Sequence, residues 1–248
     1  MPLAHRIIPV LLKRGDTLVK GVRFKSWRSV GHALQAARIH QARGVDELVI
    51  LDVAATPKGL KPDFKAIEKL TKNCFVPLTV GGGITTAQDV RDLMNAGADK
   101  VVVETAWISD PGFLPELASK VGSQAIVASI SSSSGYASIH CGSVVYANAV
   151  EVAAKQAVKE GAGEILLQSV ERDGTMNGYD LNMIKAVSKV KIPVIASCGC
   201  GSYADMVKAI EAGASAVAAG AFFLFTDHTP RGAAQYLIAH GFEARLPK

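Results

Sequence analysis

Aromatic residues make up only 6% of the 248-residue chain, and the lysines and arginines that give it a formal net charge of +5 are scattered along its length. A nucleic-acid binder would concentrate basic side chains on one stretch and interleave aromatics among them, so that class is excluded. The positive balance favours an anionic small molecule or an acidic protein partner instead. No run of about 18 apolar residues occurs, and Met1 to Arg6 lacks the apolar core of a signal peptide. The expectation is a soluble cytoplasmic protein with no membrane partner. The four cysteines, Cys74, Cys141, Cys198 and Cys200, show no C-x2-C pairing, which removes the common zinc frameworks and leaves reduced thiols. Cys198 and Cys200 with the distant His140 form too sparse a set for a metal. Buried small cysteines are expected, with no metal and no cofactor.

What the chain does have is apolar bulk. With 49% hydrophobic and 20% charged residues it can bury one large core, and a single domain over 1–248 is expected. Short β-branched runs alternate with helical patterns, the signature of parallel βα units. Strands are expected near 6–12, 48–53, 76–81, 99–104, 125–130, 164–169, 193–198 and 215–220, with helices such as 87–96 and 203–212 between them. Several strands are apolar throughout, as strands covered by helices must be. Eight such units make an α/β fold of the (β/α)8 barrel type.

The segment "DELVILDVAATP" (46–57) parallels "GEILLQSVERDG" (163–174), "VPLTVGGGIT" (76–85) parallels "IPVIASCGCGS" (192–202), and "GADKVVVETA" (97–106) parallels "GASAVAAGAF" (213–222). The displacement is 116 or 117 positions each time, nearly half the chain. Two halves of four βα units give a pseudo-twofold barrel in which sites come in pairs. Gly82 and Gly83 follow the third strand, and Cys198, Gly199 and Cys200 follow the seventh. Glycines there let backbone N–H groups approach an oxyanion, or simply make tight turns. Thr105 would complete the first cradle and Gly220 with Ala221 the second, so the pair suits a phosphorylated small molecule. Asp52 and Asp173 sit where strands 2 and 6 end, on the functional rim of such barrels, where they could bind hydroxyl groups or cap helices. Trp27 and Trp107 are expected to pack at that rim, and Ser131 to Ser134 to form a flexible loop.

Several of these segments belong together. Arg6-Ile7-Ile8-Pro9, Val19-Lys20-Gly21, Asp46-Glu47-Leu48-Val49, Val80 to Ile84, Gly97 to Lys100, Gly161 to Leu167 and Arg172-Asp173-Gly174-Thr175 resemble HisF, the synthase subunit of imidazole glycerol phosphate synthase. The resemblance runs over nearly the whole chain. It implies a barrel that receives ammonia from a HisH glutaminase along its axis and uses two aspartates, at the ends of strands 1 and 5, to cyclise a bisphosphorylated ribonucleotide. It also implies that Lys20, on the first loop, and Gly174 with Thr175 join the substrate-binding set.

At both aspartate positions the chain departs from that pattern, with Leu12 and Ser131. Leucine cannot ionise, and serine is a poor acid or base without an activating neighbour. Glu104 stands where the family usually has asparagine, Cys198 replaces a glycine and Ala221 a serine. In contrast, the four charged residues that close the ammonia entrance in HisF are matched in sign by Arg6, Glu47, Lys100 and Glu164. An ion-pair plug is the alternative reading of that set. Leucine in place of the strand-1 acid resembles the HisF-like proteins of glycosyl amidation, where a HisH-like glutaminase supplies ammonia and a separate sugar amidotransferase uses it for surface polysaccharide. Two further possibilities stay open: an imidazole glycerol phosphate synthase lyase of histidine biosynthesis with a displaced acid such as Asp16 or Glu104, and an altered or engineered barrel without natural activity.

Overall fold

The structure is a computed structural model and describes residues 4–140 and 142–246, so Cys141 lies outside the described residues. The chain opens with strand β1 (Arg6–Arg14), a hairpin of β2 (Thr17–Val22) and β3 (Lys25–His32), and helix α1 (Ala33–Ala42). It continues through β4 (Leu48–Asp52), α2 (Phe64–Thr71), β5 (Leu78–Gly81), α3 (Ala87–Asn95), β6 (Lys100–Val103), α4 (Thr105–Ser109) and α5 (Phe113–Val121). The second half repeats the plan with β7 (Ile126–Ser133), a hairpin of β8 (Tyr136–Ile139) and β9 (Val144–Ala149), α6 (Val150–Lys159), β10 (Glu164–Ser169), α7 (Leu181–Val187), β11 (Val194–Ser197), α8 (Tyr203–Glu211), β12 (Ala216–Ala219), α9 (Ala221–Phe225) and α10 (Pro230–Ala239).

Strands β1, β4, β5, β6, β7, β10, β11 and β12 pair in parallel in that order, and β12 returns to β1, closing an eight-stranded barrel. Alternation along β1 shows how a wholly apolar strand serves two cores. Ile8, Val10 and Leu12 point inward to a cluster with Val49, Val102, Val127, Leu166 and Ile195, while Ile7 and Leu11 face the helices. Helices α2, α3, α7, α8 and α10 start from side-chain caps, Asp63, Thr86, Asp180, Ser202 and Thr229. Each cap accepts a backbone N–H that the first helical turn leaves free. Thr86 and Ser202 lie 116 positions apart, so the sequence repeat extends to the caps.

The two hairpins stand on β1 and β7 as equivalent additions to the two halves. Arg23-Phe24, at φ 53° and 56°, turns β2 into β3, and Ser134-Gly135, at φ 54° and 85°, turns β7 into β8. Two successive left-handed residues match the twist of the flanking strands. This corrects the expectation of a flexible loop at Ser131 to Ser134. β7 runs on to Ser133 because β8 supplies antiparallel partners, Ser131 opposite Ser138 and Ser133 opposite Tyr136. Trp107 is also corrected: it is fully buried rather than at the rim, and its indole N–H donates to the Ser129 carbonyl at 3.2 Å. Among the described residues no helix is long and apolar enough to cross a membrane.

His40, on the buried face of α1, meets Phe223 edge-on at 6.2 Å between ring centres. Burial, with Arg43 nearby, lowers its pKa from 6.5 to about 4. The folded imidazole therefore resists a proton that the unfolded one accepts. The stability it contributes is complete above about 6.5 and is lost as pH falls toward about 4. Urea unfolding at the two ends of that window should show His40→Leu losing less stability on acidification than wild type; identical losses would assign the acid sensitivity to other groups.

Candidate functional site

A cavity of about 140 Å³ opens at the C-terminal ends of the barrel strands. Its walls include Val10 and Leu12 of β1, Leu51 and Asp52 of β4, Ser129 and Ser131 of β7, Gln168 of β10 and Ser197 of β11, with Glu104 just beyond β6. Leu12 packs in the same apolar cluster as Leu51 and Trp27. The cavity wall is therefore hydrocarbon where β1 reaches it. The glycine loops after β5 and β11 form two more walls, Gly82-Gly83 with Thr105, and Cys198-Gly199-Cys200 with Gly220-Ala221. Gly83 and Gly199 have φ of 75° and 98°, and a Cβ on either would come within 2.5 and 2.3 Å of a neighbouring carbonyl oxygen. Close backbone packing thus requires glycine at both, whatever binds there.

The β2–β3 hairpin folds over the mouth and is latched there. Lys20 Nζ meets Asp173 Oδ1 at 2.5 Å, with side chains 5% and 7% exposed, and the Phe24 N–H donates to the other carboxylate oxygen at 3.2 Å. Asp52 is matched by the buried Lys13 at 2.8 Å and accepts the Ala54 N–H at 3.0 Å. Glu104 is held differently. The Ser131 hydroxyl lies 2.5 Å and the Ser129 hydroxyl 3.1 Å from its Oε1, and Ser129 also reaches the Gln168 amide at 3.0 Å. Burial raises the Glu104 pKa, an effect opposed by the hydrogen bonds from Ser131 and Ser129 and by His140. The thiols of Cys198 and Cys200 are pushed up to about 12 by burial and stay protonated.

At the opposite end of the barrel four charged side chains close a ring. Arg6 bonds Glu47 at 2.7 Å and Glu164 at 3.0 Å, while Lys100 bonds Glu164 at 2.8 Å and Glu47 at 3.4 Å. The Thr79 hydroxyl donates to Glu47 at 2.6 Å. Burial works against the Arg6 charge, yet Glu164 and Glu47 together hold its pKa above the ordinary value.

The family described as "Histidine biosynthesis protein" matches residues 6–229. The "Putative imidazole glycerol phosphate synthase subunit hisF2" of Campylobacter jejuni is 40% identical over 98% of this chain and 99% of its own length. The "Imidazole glycerol phosphate synthase subunit HisF" of Streptomyces coelicolor is 43% identical over 92% of this chain and 93% of its own. The chain belongs to the HisF family.

In this HisF-family barrel Leu12, Ser131, Lys20, Asp52, Gly82, Gly83, Thr105, Asp173, Gly174, Gly199, Gly220 and Ala221 all line one cavity. Thr175 does not. Its hydroxyl turns back to donate to the Arg172 carbonyl at 2.9 Å, a local bond that keeps it out of the cavity wall. Asp16 is corrected as well: it lies in the turn between β1 and β2, outside the lining residues, and its carbonyl accepts the Ala33 N–H. Asp52 and Asp173 neither cap helices nor stand free, because each is taken by a lysine. Among the described residues no three His, Cys, Asp or Glu side chains gather as a metal site. Thr79, Ser129 and Gln168 escape a motif search. Two-residue alternation from Glu164 through Leu166 to Gln168 would have aimed Gln168 at the axis.

Breaking the latch from one side should be worse than removing it. Lys20→Met strands a buried carboxylate and should lower stability by about 3–5 kcal/mol. Amide exchange should quicken mainly in Thr17–His32. The double variant Lys20→Met/Asp173→Leu should recover most of the loss in urea unfolding; equal losses in the two proteins would show that the ion pair is not what fastens the hairpin.

Proposed function

We propose that this barrel conducts ammonia from a HisH-like glutaminase on its N-terminal face to the cavity at its C-terminal face, within a glutamine-dependent amidotransferase system. The cyclase activity is lost, and the ammonia goes to a separate sugar amidotransferase that serves surface polysaccharide. One contrast carries this reading: the charged ring of Arg6, Glu47, Lys100 and Glu164 is fully paired, while β1 and β7 turn Leu12 and Ser131, neither of them a carboxylic acid, to the cavity. Selection on the cyclisation would have kept the mouth, and selection on folding alone had many apolar ways to fill the other end. Two cations and two anions on different strands neutralise each other, narrow an axial path and can part without unfolding the barrel. The paired glycine loops suit a phosphate-bearing small molecule in the same cavity.

Ammonia near neutrality is mostly protonated in bulk water, so the glutaminase must seal against the barrel. A total buried area on the order of 1,200–2,000 Å² is what a stable seal of this kind needs. A second reading, a cyclase whose acid has moved to Glu104, draws on the 2.5 Å contact between Glu104 and Ser131.

Two measurements decide between them. Wild type supplied with ammonium should cyclise the bisphosphorylated ribonucleotide at no more than trace rates, and Leu12→Asp/Ser131→Asp should raise that rate; brisk wild-type turnover would establish the second reading. In the reconstituted amidotransferase, Lys100→Ala should depress the glutamine-dependent reaction more than the ammonium-dependent one, since only the former needs a sealed route. Equal depression of both would reduce the ring to a structural plug.

A further inference from the structure

Three carboxyl groups line the cavity: Asp52, Asp173 and Glu104. Two are neutralised by lysine, Asp52 by Lys13 and Asp173 by Lys20. Glu104 makes no salt bridge among the described residues, and its hydrogen-bonding neighbours are the hydroxyls of Ser131 and Ser129. Glu104 is half-buried in the cavity wall, and a partly desolvated carboxylate with no ion-paired partner keeps its proton more readily or draws in a cation. Oxygen atoms surround the space beside it: its own carboxyl, two serine hydroxyls and the Gln168 amide. Such an oxygen set suits a small cation, and ammonium, with four N–H donors for these acceptors, is the one that an ammonia conduit brings to it.

We propose that Glu104, with the hydroxyls of Ser129 and Ser131, is a binding site for ammonium at the mouth of the barrel. The nitrogen lone pair of an arriving ammonia molecule takes the proton from the Glu104 carboxyl. One O–H bond breaks, one N–H bond forms, and ammonium is held against the carboxylate until the proton returns and ammonia leaves. Nothing is oxidised or reduced. The site serves the conduit as a waiting position, and to that extent it rests on the reading above, but its affinity for ammonium does not depend on any partner.

Ammonium added from solution binds the deprotonated carboxylate, so affinity should rise with pH as Glu104 loses its proton and then level off. Burial, which raises the Glu104 pKa, moves that rise upward from the ordinary carboxylate range. The groups facing the same space are His140 from the β8–β9 turn, the Lys20–Asp173 pair, Asp52, whose partner Lys13 stands outside the cavity wall, and the protonated thiols of Cys198 and Cys200.

The test is a titration of the isolated chain with ammonium chloride, against tetramethylammonium chloride at equal ionic strength, followed through backbone amide resonances at 103–106 and 129–131. Ammonium should give saturable shifts and tetramethylammonium none. Glu104→Gln should weaken binding roughly tenfold or more, as loss of a charged acceptor does, and abolish its pH dependence. Ser131→Ala, which keeps the carboxyl, should weaken it by a smaller factor, and His140→Gln should retain the pH-dependent rise. Binding to Glu104→Gln as tight as to wild type would overturn the proposal, and so would equal shifts from tetramethylammonium. A glutaminase that fails to dock would sink the conduit and leave this titration unaffected.

Discussion

Glu104 apart, the charged groups at the two ends of the barrel stand in matched sets, and that pairing arranges both ends. A buried ion stripped of water is destabilising by several kcal/mol unless an opposite charge with good geometry stands against it. At the N-terminal end the match is fourfold, Arg6 and Lys100 alternating with Glu47 and Glu164 around the axis. At the C-terminal end it is made twice by single pairs, Lys13 with Asp52 and Lys20 with Asp173. The second of these decides the shape of the mouth, because the lysine belongs to the covering hairpin and the aspartate to the loop after β10. Between the two ends the axis is apolar, filled by Ile8, Val49, Val127, Leu166 and Ile195.

The eight barrel strands were legible in the sequence to within a residue or two at most ends, because each is a short apolar run bounded by polar or glycine positions. The hairpins were not. β3 is largely exposed and carries Lys25, Ser26, Arg28 and Ser29, so it lacks the apolar alternation that marks a strand. Its turn, Arg23-Phe24, uses left-handed backbone without glycine or asparagine, which no turn signal announces. Ser134-Gly135 is a recognisable turn pair, hidden by the serine run that precedes it. Of the site, the glycine loops and the charged ring could be found by repeat and resemblance. The company Glu104 keeps could not, since Ser129, Ser131 and Gln168 meet it only once β6, β7 and β10 are in register.

The two halves of the barrel have diverged most where their cavity walls correspond. Glu104 in the first half occupies the position of Gly220 in the second, and Cys198 in the second that of Gly82 in the first. Cys198 holds a φ of 75° that glycine would adopt freely, a strain of about 1–2 kcal/mol for a residue with a Cβ. The pseudo-twofold thus persists in backbone, caps and hairpins, while the side chains at the mouth no longer obey it. A symmetric ligand would find two unlike ends.

One strand carries both ends of the axis. Arg6 and Leu12 lie on β1, six residues and roughly 20 Å apart at the rise of an extended chain. Both face inward because the interval is even. A single inserted or deleted residue between them would turn one of the two outward, so ring and mouth cannot drift independently by changes in length. They can drift freely by substitution, since exchanging a side chain leaves the pleat untouched. A lineage that keeps its strand lengths can therefore rewrite the mouth of such a barrel one residue at a time while the charged ring at the other end is inherited intact.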